Sequence, residues 1–174
     1  FNEKGQCINV PASKVFPSAL IRKGLHIHDG SRYARGWIGQ DSVFWRRSLW
    51  EKVGSKLNIK WGNAADYDLW LRFCQHANLV SVASPLAGFR IHDAQKTSDQ
   101  NGYNVEADAI HKGHGLSRID PDESHLRKAF SRLCQSGDLA SLTVASDLGI
   151  VEYAENVYYD LSSRKWLRRS QFAI

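Results

Sequence analysis

The 174-residue chain has no methionine, even at position 1, which leads us to expect a piece of a longer polypeptide. Cysteine is scarce. Cys7, Cys74 and Cys134 are odd in number and share no short spacing. This argues against a disulfide framework and against a cysteine-based zinc site, and a reducing cytosol is the expected compartment. No apolar run approaches the length of a membrane span, and the first residues carry no signal-peptide pattern. Internal repeats and low-complexity tracts are also missing. No glycine-rich loop follows a strand pattern, so no nucleotide-binding signature is present. Basic and aromatic residues do not interleave in the RNA-binding manner.

What the chain does contain is enough apolar material for one ordinary domain. It is 43% hydrophobic, with six Trp, seven Phe and six Tyr. The net charge is +5, and all of the excess lies in residues 1–114, which hold 15 basic and 10 acidic residues against 8 of each in 115–174. A mild excess of this kind suits a phosphate-bearing small molecule as well as nucleic acid.

The stretch Ala65-Asp66-Tyr67-Asp68-Leu69-Trp70-Leu71-Arg72 organises the rest. Tyr67, Trp70, Leu71 and Cys74 fall at i, i+3, i+4 and i+7, the period of a helix, and Leu69 and Phe73 widen its apolar surface. Asn63 is the expected cap. Two aspartates then sit in the first turn, where the helix dipole favours their ionised form. A fixed, ionised carboxylate beside a cleft is what a general base needs. The plainer alternative is that both merely complement the dipole. Arg72 is expected to pair with Asp68 at i+4.

In chain order, residues 1–35 read as loops with short extended pieces, and Leu20-Ile21 sit in a short helix ending at Gly24. His26 and His28 share a strand face, though no third metal ligand lies nearby in sequence. Ser42 to Trp45 reads as a buried strand and Ser48 to Val53 as a helix stopped by Gly54. Residues 79–83 and 87–91 read as two strands with His92 at the end of the second. A helix through Tyr103, Glu106, Ala107 and Ile110 ends at Gly113 and Gly115. Asp120-Pro121-Asp122-Glu123 is a strong helix start. A later helix is expected to carry Ile150, Tyr153, Ala154, Val157, Tyr158 and Leu161 on one stripe. The basic, Trp-bearing segment from Arg164 to Arg169 reads either as a solvated helix end or as a membrane-surface contact.

Four segments in this order carry a resemblance: residues 40–54, then Asp66-Tyr67-Asp68-Leu69-Trp70-Leu71-Arg72, then Pro85-Leu86-Ala87-Gly88-Phe89-Arg90-Ile91-His92, then Gln95-Lys96-Thr97. Together they resemble the second half of family 2 glycosyltransferases of the GT-A fold, over roughly residues 36–110. The resemblance implies an α/β fold: a partial GT-A domain with a small mixed sheet and helices over residues 1–115. A helical C-terminal extension over 116–174 completes the expected architecture. It also implies an inverting transfer from a nucleotide-sugar donor to a saccharide or lipid-linked acceptor, in which a base removes the acceptor proton. By the same resemblance Asp66 is the catalytic base, and His92 ligates a divalent cation (Mg or Mn) or meets the diphosphate. Arg90 and Lys96 face the donor diphosphate, and Gln40, Trp45 and Arg46 line the acceptor side. Family members often carry another acid just before the base, where this chain has Ala65.

Asp66-Tyr67-Asp68 is literally a D-x-D, the spacing of the family's metal site, but it opens a helix, so Asp68 is assigned to the helix surface. The nucleotide-binding half is not found, and the chain alone is expected to bind donor poorly. The expected location is cytoplasmic, with the inner face of a membrane as an alternative, and no nucleic acid partner is expected. Two other classes fit the residues: a non-catalytic carbohydrate-binding module, and a metal hydrolase using His26, His28 and His92, or His111 and His114.

Overall fold

A computed structural model describes residues 4–7, 15–25, 27, 38–89, 100–117, 125–126 and 152–173. The elements are α1 (Ser18–Arg22), a 3-10 turn (Gln40–Ser42), α2 (Arg47–Lys52), α3 (Ala65–Phe73), β1 (Ser81–Val82), α4 (Gln100–Gly113), β2 (Glu152–Asp160) and β3 (Lys165–Ala173). The architecture is mixed α/β, with a small three-stranded mixed sheet and a few helices.

Helix α3 is the centre of the core. Tyr67, Asp68, Leu69, Trp70, Leu71 and Phe73 are all buried, so the helix is covered on nearly every side. Ile21, Ile27 and Ile38 pack on it from the N-terminal part, and Ala107 and Ile110 from α4. Both neighbours are tied in by the last carbonyls of α1. The Tyr67 hydroxyl donates to the Ile21 carbonyl at 3.3 Å, and His111 Nε2 donates to the Arg22 carbonyl at 2.7 Å. The free end of a short helix is thereby satisfied by side chains of two longer ones.

Helices α2 and α4 stop where glycine was expected to stop them. Gly54 has φ 93° and Gly115 φ 66°. After α2, Ser55 N–H donates to Trp50 O at 3.0 Å and Gly54 N–H to Glu51 O at 3.1 Å. After α4, Leu116 donates to His111 O at 3.1 Å and Gly115 to Lys112 O at 2.9 Å. Both are the paired closing bonds of a Schellman end, which needs a left-handed residue at that position.

The sheet has the order β1-β2-β3. β1 pairs parallel to β2 at Ser81↔Asn156 and Val82↔Val157, and β2 pairs antiparallel to β3 from Glu152↔Ala173 to Asp160↔Lys165. It meets the helices through Ala154, which packs on Val15, Leu20 and Leu25.

Three expectations are corrected here. The stripe from Tyr153 to Leu161 is strand and turn rather than helix, and exposure along β2 rises and falls with a period of two around buried Asn156. The C-terminal extension is therefore not wholly helical; it ends in a hairpin. Residues 43–46 form no strand: Phe44 is 74% exposed and Trp45 turns onto helix aromatics instead. Of the two strands expected over 79–91, the first forms as Ser81–Val82; in the second, 87–89 is irregular and 90–91 lie outside the described residues. The helix expected from Asp120 lies outside the described residues, except positions 125–126, which are helical. Among the described residues no helix is long and apolar enough to cross a membrane.

Candidate functional site

Asp66 lies in the first turn of α3 and is half-buried. Its Oδ1 accepts the Tyr67 backbone N–H at 2.8 Å. Burial raises its carboxyl above the ordinary 3.8, and the hydrogen bonds from backbone N–H groups offset this only in part. Desolvation thus outweighs the local donors that the helix start supplies. The resulting carboxylate is a stronger base than a solvated one. Tyr103 of α4 adjoins it. Burial pushes the Tyr103 phenol far above its usual value, and the Asp66 charge adds to that, so the phenol keeps its proton.

Two further unfavourable groups flank Asp66. The indole N–H of Trp61, just before the helix, and that of Trp70, one turn after Asp66, are buried with no acceptor among the described residues. Such donors cost on the order of 1–3 kcal/mol each. Buried polar atoms of Ser18, Ser81, Asn104 and Asn156 also lack a partner among the described residues, so these costs are spread over the fold and not confined to the Asp66 turn.

The helix start that presents Asp66 is fixed from a distance. Ala64 is the cap residue and supplies no side-chain hydrogen bond. Asn63 does not cap it as expected. Instead the Glu106 carboxylate of α4 accepts three backbone N–H groups, from Gly62 at 3.1 Å, Asn63 at 2.8 Å and Ala64 at 2.9 Å. A carboxylate at a helix N-terminus also complements its dipole. Glu106→Ala should lower stability by about 2 kcal/mol, the upper range for loss of a cap. Glu106→Gln, which keeps an acceptor, should lose less. Thermal melts of the two variants check both statements.

Asp68 is not on the helix surface, as the sequence suggests, but buried, at 6% exposure. Its Oδ2 accepts Arg72 Nε at 2.9 Å, the expected i+4 pair, and its Oδ1 accepts His114 Nε2 at 3.2 Å. Arg72 also donates to the carbonyls of Val53 at 2.8 Å and Lys56 at 3.0 Å, pinning the loop after α2. Residues two apart on a helix do not face each other, so Asp66 and Asp68 cannot close on one cation from a single helix turn. Asp68 is also already committed to two side chains. The D-x-D spacing is coincidental.

Trp45 caps an aromatic cluster. Its ring centroid lies 6.2 Å from Trp50, 5.9 Å from Trp70 and 5.5 Å from Phe73. Trp70 and Phe73 are buried, and Trp50 is half-buried, whereas Trp45 remains 42% exposed. A shallow groove of about 520 Å³ runs past it, lined by Trp45, Arg47, Trp50, Glu51 and Ser55. Arg47 Nε donates to Glu51 Oε1 at 2.8 Å across one turn of its floor. Gln40 and Arg46 are exposed near Trp45 in sequence but do not line the groove. Asp66 does not line it either. The link between them is Trp70, which touches Trp45 and stands one turn along α3 from Asp66.

Arg90, His92 and Lys96, and with them His26 and His28, lie outside the described residues. The remaining two histidines of interest hold structural posts, His111 on the Arg22 carbonyl and His114 on Asp68. Among the described residues no three His, Cys, Asp or Glu side chains converge to hold a metal ion. Sequence reasoning missed Glu106 and Tyr103, which act on the Asp66 turn from some 40 positions away with no local signal. Comparison with protein families, with curated proteins and with solved structures finds no match.

Proposed function

We propose that this chain is the acceptor-side portion of an inverting glycosyltransferase of the GT-A type, with Asp66 as the base that takes the proton from the acceptor hydroxyl. One observation carries the reading. A half-buried carboxylate with a raised proton affinity sits at the start of α3, beside a phenol that keeps its proton. A base needs fixed position and enhanced basicity, and burial supplies the second at some expense in stability.

The acceptor hydroxyl would approach Asp66 and surrender its proton to the carboxylate as its oxygen attacks the anomeric carbon of the donor, whose bond to the nucleoside diphosphate breaks so that the diphosphate leaves with the bonding pair. Trp45 and its groove would receive the rest of the acceptor, with the indole face stacking on a sugar ring and the Arg47–Glu51 pair offering hydrogen bonds to its hydroxyls. The divalent cation and diphosphate contacts that the resemblance implies fall on His92, Arg90 and Lys96, and no step is assigned to the cation here.

The test is transfer from a panel of nucleotide sugars by the full-length protein, with its donor-binding half present, wild type against Asp66→Asn. Trp45→Ala should raise the acceptor KM about fivefold, the scale of ~1 kcal/mol for one aromatic contact, with kcat nearly unchanged. Steady-state kinetics with varied acceptor reads the split. A second reading is favoured by the groove alone: a carbohydrate-binding module that stacks sugar on Trp45 and needs no base. It predicts saccharide binding that Asp66→Asn leaves intact, with no transfer from any donor. Calorimetry of both variants with free oligosaccharides separates the two.

A further inference from the structure

We propose that the tip of the β2–β3 hairpin docks on the surface of an anionic lipid bilayer. The inference does not depend on the transferase reading.

The hairpin outruns the sheet. β1 pairs with β2 only at Asn156 and Val157, so beyond that point β2 and β3 have only each other among the described residues. Three more residues of β2 follow, which at about 3.3 Å per residue carry the turn roughly 10 Å past β1. Every residue from 161 to 170 is exposed. An isolated two-stranded tip is marginal in water, so its side chains need a reason to be apolar. Yet Leu161, in the turn itself, is 83% exposed, and Trp166 and Tyr159 are 53% and 44% exposed. The last two are cross-strand partners whose rings meet edge to face at 5.5 Å.

Cations occur on both faces of the same tip, Arg168 on the face of Trp166 and Tyr159, and Lys165 and Arg169 on the other. Residues 158–169 hold Arg164, Lys165, Arg168 and Arg169 against the single carboxylate of Asp160. Asp160 Oδ2 accepts the Ser163 backbone N–H at 2.8 Å and so shapes the turn. Arg168 reaches Glu155 at 3.3 Å, and Arg169 lies over the Tyr158 ring at 4.8 Å. Leu161 and Arg164 share the turn, Lys165 opposes Asp160 at the tip, the Trp166–Tyr159 pair comes next and Arg168 and Arg169 lie further back, so apolar, amphipathic and basic side chains mix at the tip as they do in a headgroup layer. Tyr and Trp favour the headgroup level, and basic residues near an anionic surface each add attraction. A nucleic acid would match the cations but would leave Leu161 at the apex with nothing apolar to meet. The chemistry recognised is therefore a negatively charged lipid headgroup above an acyl layer.

The test is co-sedimentation of the whole chain with vesicles of phosphatidylcholine alone and of phosphatidylcholine mixed with phosphatidylglycerol. Binding is expected to the mixed vesicles only. It should disappear at 1 M salt, where the screening length is about 3 Å. Arg164→Gln with Lys165→Gln should weaken partition by roughly tenfold or more, and Leu161→Asp should abolish it. The double variant changes only exposed side chains, so it remains informative even if Leu161→Asp fails to fold. Equal partition into both vesicle types, or binding unaltered by the double variant, overturns the proposal. So does complete displacement by free glycerol phosphate, which would indicate a phosphate site, or by a single-stranded oligonucleotide, which would indicate a nucleic-acid surface.

Discussion

Asp66→Asn is expected to reduce sugar transfer by about a hundredfold or more, the usual scale for removing a general base. The same substitution is expected to raise thermal stability at neutral pH. The two effects have one origin. Burial raises the Asp66 carboxyl above 3.8, so the folded chain holds this proton more tightly than the unfolded chain does. The native-state advantage from that proton is fully present below the unfolded value of 3.8 and is lost as pH rises through the raised folded value. At neutral pH the wild type therefore carries an ionised, partly desolvated carboxylate that asparagine does not. The amide still accepts the Tyr67 N–H. Melts of both proteins from pH 3 to pH 8 should show the variant's advantage grow as pH rises and vanish at the acid end. A melting temperature that falls at neutral pH, together with unaltered transfer, would show that Asp66 only complements the helix dipole.

Asp68→Ala, two positions away, should do the opposite. It leaves Arg72 and His114 facing a half-buried gap, and it releases the guanidinium that holds the loop after α2 at Val53 and Lys56. Removing one partner of a buried pair typically destabilises by 3–5 kcal/mol; with Arg72 and His114 each partly exposed, about 3 kcal/mol is expected here. That corresponds to a fall in melting temperature of roughly 6–12 °C for a chain of this size. Transfer per folded molecule should survive. If both aspartates were instead ligands of one cation, each substitution would abolish transfer and neither would unfold the chain. Melts and specific activities of the two variants, measured side by side, distinguish the arrangements.

The helical half of the fold was largely legible in the residue pattern. Apolar spacing located α3 and α4, and Gly54 and Gly115 marked the stops of α2 and α4, because a left-handed residue leaves a local trace. The hairpin was not legible, for a geometric reason. Tyr153, Val157 and Leu161 recur every four positions, and four is close to one helical turn while also a multiple of the strand period. Only the i+3 steps separate the two, and on β2 those fall on opposite faces. The cluster Val157-Tyr158-Tyr159, rich in β-branched and aromatic types, was the better signal. At the site, Asp66 was picked out correctly as the residue opening the helix. Its electrostatics were not, because the burial that raises its carboxyl comes from tertiary packing that the local sequence does not show. The burial of Asp68 likewise depends on His114, 46 positions later, and the helix start depends on Glu106 rather than Asn63.

The short parallel ladder has a consequence for assembly. Val82 waits for Val157, so 75 positions of chain separate the two sides of that contact. Closing so long a loop is entropically slow, whereas α3 meets α1 across 46 positions and its start meets α4 across 42 to 44. As the polypeptide leaves the ribosome, the helices can collapse onto α3 well before the strand that completes the sheet has been made. The sheet is then a late clasp on a body already formed, and amide exchange in β1 should open at lower free energy than exchange in α3.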